Sequence, residues 1–277
     1  MSRARELSPA VAALLGVGAG AGAVTVAGRL LLQRQAAAAR QVIGKPLGEE
    51  ALVADRTYGK SLGHPVDLLL LGDSIAAGLG AETPRKTLGG QLAKRVSKRT
   101  GRAVRLHTAA RVGAETSMLA GQIATLPPTY RPEVAVVVVG GNDVTHRVRL
   151  AESRAHLAQA ITALQERGAA VVVGTCPDLA ALHAVPQPLR TLAGLLSRQL
   201  AAAQRQVAAD LGAHAVSLAT VVGPFFVTQP DQMFSQDRFH PSGVGYRRTA
   251  KALLPSVLAA LGEVDEVPFG HHPPTVG

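Results

Sequence analysis

The sequence predicts an α/β fold, an open parallel sheet with helices on both faces. Three observations carry this expectation. Val66–Leu71, Val134–Val139 and Ala169–Val173 are short, almost unbroken apolar runs. Such runs suit strands buried on both faces, as parallel strands are. Amphipathic helical stretches separate them, giving the strand–helix alternation of a layered sheet. No internal repeat is visible, and a lone cysteine, Cys176, excludes an internal disulfide.

The chain divides by composition. Residues 1–45 form an N-terminal segment, and 46–65 read as a linker punctuated by Pro46, Gly48, Gly59, Gly63 and Pro65. Residues 66–262 form the folded domain, and 263–277 a flexible tail.

Ser8–Gly28 contains no charged residue, and Leu30–Leu32 prolong its apolar character. At about 1.5 Å per residue, such a helix can span a bilayer. The fold is thus expected to follow a single N-terminal hydrophobic helix that anchors the chain in a membrane. The competing readings are a cleaved signal peptide and a soluble helix. Ala19-Gly20-Ala21 and Ala21-Gly22-Ala23 are the candidate cleavage sites. Arg3 and Arg5 precede the segment and Arg29, Arg34, Arg40 and Lys45 follow it, so the membrane side stays open.

Within the domain, Leu88, Leu92 and Val96 share one helix face, with Lys94, Arg95, Lys98 and Arg99 on the wet side. Ala103–His107 is a short strand. Leu150–Arg167 is a helix stopped by Gly168, and Pro188–Leu211 a long amphipathic helix stopped by Gly212. His214–Leu218 is the last strand, and Ser242–Leu261 the last helix, stopped by Gly262.

Hydrophobic residues make up 47% of the 277, enough for one good-sized core. Aromatics are only 3% and Trp is absent, so that core must be Leu, Val and Ala. The net charge is +10, and half of it lies in residues 1–45, where six basic residues face Glu6 alone. The rest is spread out, which gives no nucleic-acid footprint. No His, Cys, Asp or Glu cluster has metal-ligand spacing, so neither metal nor cofactor is expected. Cys176 follows an apolar strand and reads as a buried, inert thiol.

Chemistry is carried by three stretches at the ends of regular elements. Gly72-Asp73-Ser74, with Gly78, follows the leucine run and puts Ser74 just past a strand's carboxyl end, where open α/β sheets hold ligands. Gly140-Gly141-Asn142-Asp143 ends the valine run. Asp237-Arg238-Phe239-His240 precedes the last helix. Together they offer a nucleophile, a base, a carboxylate to orient the base and an amide donor, the set acyl transfer needs. Asp73 and Asp143 read as local caps or turns.

Over residues 66–262 the sequence resembles the SGNH/GDSL hydrolase family. Gly72-Asp73-Ser74 resembles its first block, Gly140–Asp143 its G-x-N-D block and Asp237–His240 its D-x-x-H block; Ile75 stands where leucine is usual. The resemblance implies a three-layer α/β/α, flavodoxin-like fold and metal-free ester or thioester hydrolysis. It implies Ser74 as nucleophile, His240 as base and Asp237 as its orienting carboxylate. It also implies an oxyanion hole from the backbone N–H groups of Ser74 and Gly113 and the Asn142 side chain. In Arg111–Ser117 the backbone donor falls on Gly113 or on Ala114.

The expected activity is a serine esterase or lipase acting on lipid or small acyl esters. The rivals are a deacetylase of acylated carbohydrate or cell-wall polymer and a binding protein with a dead site on the same scaffold.

Overall fold

A computed structural model describes residues 27–39, 41, 48 and 50–274. Seven strands form one sheet: β1 Thr57–Tyr58, β2 Gly63–Gly72, β3 Arg102–Thr108, β4 Val134–Val138, β5 Ala170–Gly174, β6 His214–Val216 and β7 His271–His272. Their spatial order is β1-β3-β2-β4-β5-β6-β7. The five inner strands are parallel. The main helices are α1 Leu88–Thr100, α2 Leu119–Ala124, α3 Leu150–Glu166, α4 Leu189–Asp210 and α5 Gly243–Ala260.

The pleat sorts each strand's side chains into two cores. Val66, Leu68 and Leu70 of β2 join Val134, Val136 and Val138 of β4 beneath α1 and α5. Leu69 and Leu71 join Ala135, Val137 and Val173 beneath α2, α3 and α4. This is why the β2 and β4 sequences read as runs rather than alternations. Leu68 to Leu71 are all fully buried. Each such leucine contributes roughly 1.5–3 kcal/mol of burial, and truncating one to Ala costs about 2–5 kcal/mol.

The expected wholly parallel sheet is corrected at both margins. β1 runs antiparallel to β3, and β7 antiparallel to β6, so the sheet is mixed. Both edge strands come from stretches too polar to announce themselves. In the expected linker, the Tyr58 hydroxyl donates to the Ala54 carbonyl (2.9 Å). β2 likewise begins at Gly63, within that stretch. In the expected tail, Ser217 N donates to Gly270 O (2.9 Å). His271 Nδ1 lies 2.8 Å from Ser256 Oγ and His272 Nε2 3.1 Å from Ser217 Oγ, which docks the segment. β6 is shorter than expected because the chain winds into a helical turn, Leu218–Val221, straight after Ser217.

Most of the expected hydrophobic segment, up to residue 26, lies outside the described residues. Among the described residues, no helix is long and apolar enough to cross a membrane. Residues 27–39 are helical. Ala39 packs with Leu179, Leu182 and Val185, and Leu189 N donates to Gln35 Oε1 (3.1 Å).

Strand order places the site. From β2 the chain steps to β3 on one side and later returns to β4 on the other. Such a switch point opens a crevice at the strands' carboxyl ends.

Candidate active site

Ser74 opens a four-residue helix, Ser74–Ala77, directly after β2. Asp73 caps it, its Oδ1 accepting from Ile75 N at 2.9 Å. The turn into it demands glycine at 72, where φ is +128° and a Cβ would lie 1.8 Å from the Val138 carbonyl oxygen. Gly80 (φ +99°) serves the opposite wall: a Cβ there would meet Pro241 O at 2.6 Å and His240 Cβ at 3.1 Å. Gly72 thus lets the end of β2 lie against β4, and Gly80 lets the Ser74 and His240 segments close on each other.

His240 Nε2 lies 2.9 Å from Ser74 Oγ, and His240 Nδ1 lies 2.6 Å from Asp237 Oδ2. The other carboxylate oxygen, Asp237 Oδ1, accepts from Ser235 Oγ (2.7 Å), Phe239 N (3.0 Å) and His240 N (2.9 Å). Burial alone pushes the Asp237 carboxyl up. The hydrogen bonds from His240, Phe239 N and Ser235 more than offset this and hold it down at about 2. Asp237 is therefore an anion at neutral pH, aimed at the ring nitrogen remote from Ser74. Asp73, also buried, has the opposite balance: desolvation dominates and raises its carboxyl to about 6.

Asn142 sits in the short helix Gly141–His146 that follows β4, and shares a pocket with Ser74 and His240. Its Nδ2 donates to Ala114 O at 2.9 Å. Ala114 N donates to Arg111 O (3.2 Å), so its N–H is spent within the turn. Gly113 occupies that turn at φ +79°, and neither Gly113 nor Ala114 lines the pocket. Asp143 is buried and structural: Oδ2 accepts from Thr116 N (3.0 Å) and Oδ1 from Ser153 Oγ (2.6 Å). Cys176 is buried too, and burial pushes its thiol well up. Among the described residues, no group of three or more His, Cys, Asp or Glu is placed to hold a metal.

The rest of the pocket wall is apolar, with Ile75, Leu179, Leu182, Val222, Phe226 and Phe239 prominent. Its residues come from loops and from helical turns too short to carry a periodic signal. Two buried glutamines also escaped the sequence reading. Gln122 clasps Gly72 at the end of β2, Oε1 accepting from its N (2.9 Å) and Nε2 donating to its O (2.8 Å). Gln204 joins two strand ends, Oε1 accepting from Cys176 N (2.7 Å) and Nε2 donating to Val139 O (2.9 Å). The available signal was a polar residue within an apolar stripe: Leu119, Gln122 and Ile123 share one helix face, and Leu200, Gln204 and Val207 another.

A five-stranded parallel core with Ser, His and Asp bonded in series at its switch point has the make-up of a hydrolase for acyl substrates. Residues 70–248 match the model of the GDSL-like lipase/acylhydrolase family, and the chain belongs to that family. It is 36% identical to the GDSL-like esterase Rv1075c of Mycobacterium tuberculosis, over 96% of this chain and 88% of that protein. Family and relative together make it a carboxylic ester hydrolase. Solved structures share the fold. A lipase/acylhydrolase from Enterococcus faecalis is 21% identical, with a TM-score of 0.56, over 70% of this chain and 96% of its own. An acetyl xylan esterase from Geobacillus stearothermophilus is 18% identical, with a TM-score of 0.54, over 74% and 99%.

Proposed function

We propose that the chain is a serine esterase that works through an acyl-enzyme on Ser74. The observation that carries this reading is the unbroken relay Ser74 Oγ–His240 Nε2 (2.9 Å) and His240 Nδ1–Asp237 Oδ2 (2.6 Å). Ser74 Oγ attacks the ester carbonyl carbon as His240 takes its proton. The carbonyl oxygen gains charge beside the Ser74 N–H and the Asn142 amide. Between the two backbone candidates in Arg111–Ser117, the engaged N–H of Ala114 favours Gly113 as a third donor, its loop held against Asn142 through the Ala114 carbonyl. The tetrahedral intermediate collapses, and His240 gives the proton to the departing alcohol. Water then attacks the acyl-enzyme with His240 again as base, releasing the acid and free Ser74. Asp237 holds the ring tautomer and stabilises the imidazolium of both halves.

The apolar pocket supports an aliphatic acyl group, from short acyl to lipid. The charge-free Ser8–Gly28 stretch supports a membrane tether for the full chain. The test is covalent labelling by a fluorophosphonate. The wild-type chain is labelled at Ser74, while Ser74→Ala is unlabelled and loses about 10⁴-fold or more in turnover. Labelling of Ser74→Ala at the wild-type level overturns the reading.

A further inference from the structure

The outward faces of two helices carry leucines where water-facing residues belong. α4 is held to the molecule by Gly194, Ser197, Leu200 and Gln204, all buried. On its outer side Leu192, Leu195 and Leu196 are between 37% and 47% exposed. The helix over residues 27–39 exposes Leu30 (50%) and Leu31 (48%).

The two sets are neighbours. Gln35 accepts from Leu189 N (3.1 Å) and donates to the Gln187 carbonyl, which fastens the N-terminal helix to the first turn of α4. Leu31 is one helical turn from that tie, and Leu192 one turn from it along α4. Leu189 and Ala193, beside Leu192, pack with the cluster of Ala39, Leu182 and Val185. The exposed leucines continue that contact outward. Single apolar residues on a surface are ordinary, but five around one junction mark a surface of contact.

Charge selects what covers them. Arg29, Arg34, Arg190 and Arg198 are interspersed with these leucines, Arg198 also meeting Asp178 (2.9 Å). Neither residues 27–39 nor residues 185–209 contain an Asp or Glu. A second copy of the chain would set these like charges against each other across a two-fold axis. Anionic headgroups above acyl chains answer arginine and leucine together. The position agrees, because the N-terminal helix begins where the charge-free Ser8–Gly28 stretch ends.

We propose that this leucine–arginine surface lies on an anionic bilayer in the tethered protein. It rests on the tether reading: Ser8–Gly28 brings the chain to the membrane, and the surface, too small to hold it alone, decides which side faces the lipid. The segment 179–189 contributes Leu179 and Leu182 to the acyl pocket and ends in the first turn of α4. One wall of that pocket therefore stands beside the bilayer.

The chain contains no Trp, so a single one can be placed as reporter. The full-length chain carrying Leu195→Trp is mixed with phosphatidylcholine–phosphatidylglycerol vesicles whose acyl chains are brominated, a quencher confined to the bilayer. Lys98→Trp, on the exposed side of α1 across the sheet from α4, is the reference. Emission from position 195 should shift to shorter wavelength and be quenched about threefold or more beyond that from position 98. Leu192→Glu with Leu196→Glu, added to the Leu195→Trp chain, should return quenching to the reference level and leave flotation with the vesicles intact. A chain that floats but is quenched equally at both positions, or is unmoved by the paired substitution, overturns the surface and leaves the tether standing. Short-wavelength emission from position 195 before vesicles are added shows the face covered by a second copy or by the chain itself, and overturns it too. A full chain that does not float overturns both, while fluorophosphonate labelling of Ser74 judges the esterase reading separately.

Discussion

The side-chain amide of Asn142 donates to the Ala114 carbonyl at 2.9 Å, tying the loop after β4 to the loop after β3. One amide hydrogen is thereby committed and the plane of the group is set; the other remains for the pocket that Asn142 shares with Ser74. A donor fixed before substrate arrives acts on the transition state more than on the ground state. Asn142→Ala should therefore lose about 10²–10³ in kcat, or roughly 3–4 kcal/mol, with little change in KM. Asn142→Asp should do at least as badly, since a carboxylate repels both the oxyanion and the Ala114 carbonyl. Steady-state kinetics on one ester decide it; near-normal kcat in Asn142→Asp removes Asn142 from the site.

Two neighbouring carboxylates should make stability depend on pH in opposite senses. Asp237, held down at about 2, stabilises the fold above its unfolded value and loses that contribution as pH falls through about 2. Asp73, raised to about 6, is best tolerated protonated, so its contribution is full below its unfolded value of 3.8 and lost as pH rises through about 6. Asp73→Asn keeps an acceptor for Ile75 N and removes the buried charge. It should stabilise increasingly with pH, by up to ~3 kcal/mol above pH 6, and hardly at all at pH 4. Denaturant unfolding at pH 4 and pH 8 checks this; equal effects at both would refute it.

Gln122 meets both backbone groups of Gly72 from across the sheet end. Gln122→Leu leaves the buried Gly72 N–H without that partner, at a cost of about 1–3 kcal/mol, while Gly72 O keeps the Arg111 N–H (3.1 Å). Gln122→Glu keeps an acceptor for Gly72 N and forfeits the donor to Gly72 O. A fall in Tm is expected for both, with a loss of kcat as the Ser74 turn loosens. Unchanged Tm in Gln122→Leu would show that the clasp holds nothing.

The charge-free Ser8–Gly28 stretch should carry the full chain into phospholipid vesicles, while a chain beginning at residue 27 stays in the aqueous phase. Flotation on a density gradient reads this directly. A full chain that remains in the aqueous phase excludes the anchor, and a native N-terminus just after Ala21 or Ala23 identifies a cleaved leader.

What the sequence revealed follows from where its signals are strong. The leucines of β2 and valines of β4 face helices on both sides, so hydrophobic runs marked them without ambiguity. Ser74 and Asn142 stand where such a run stops, and Asp237 and His240 stand just before the last helix. The edge strands were hidden because Thr57–Tyr58 and His271–His272 are only two residues each and are held by side-chain hydrogen bonds. The pocket wall was illegible because Leu179 and Phe226 come from helical turns of three and six residues and Phe239 from a loop, all too short for a periodic pattern.

The antiparallel margins have a consequence for handling the protein. β1 and β7 both lie outside residues 70–248, the span that matches the family. A chain trimmed to residues 63–262 keeps the five parallel strands, the last helix and every residue of the relay but strips the covers from β3 and β6. Their bare N–H and C=O groups would then recruit the same edges of other molecules, and the trimmed enzyme would precipitate as intermolecular sheet. Solubility in this chain is thus governed by two short flaps that carry no motif, and a tag or fusion junction belongs beyond residue 272.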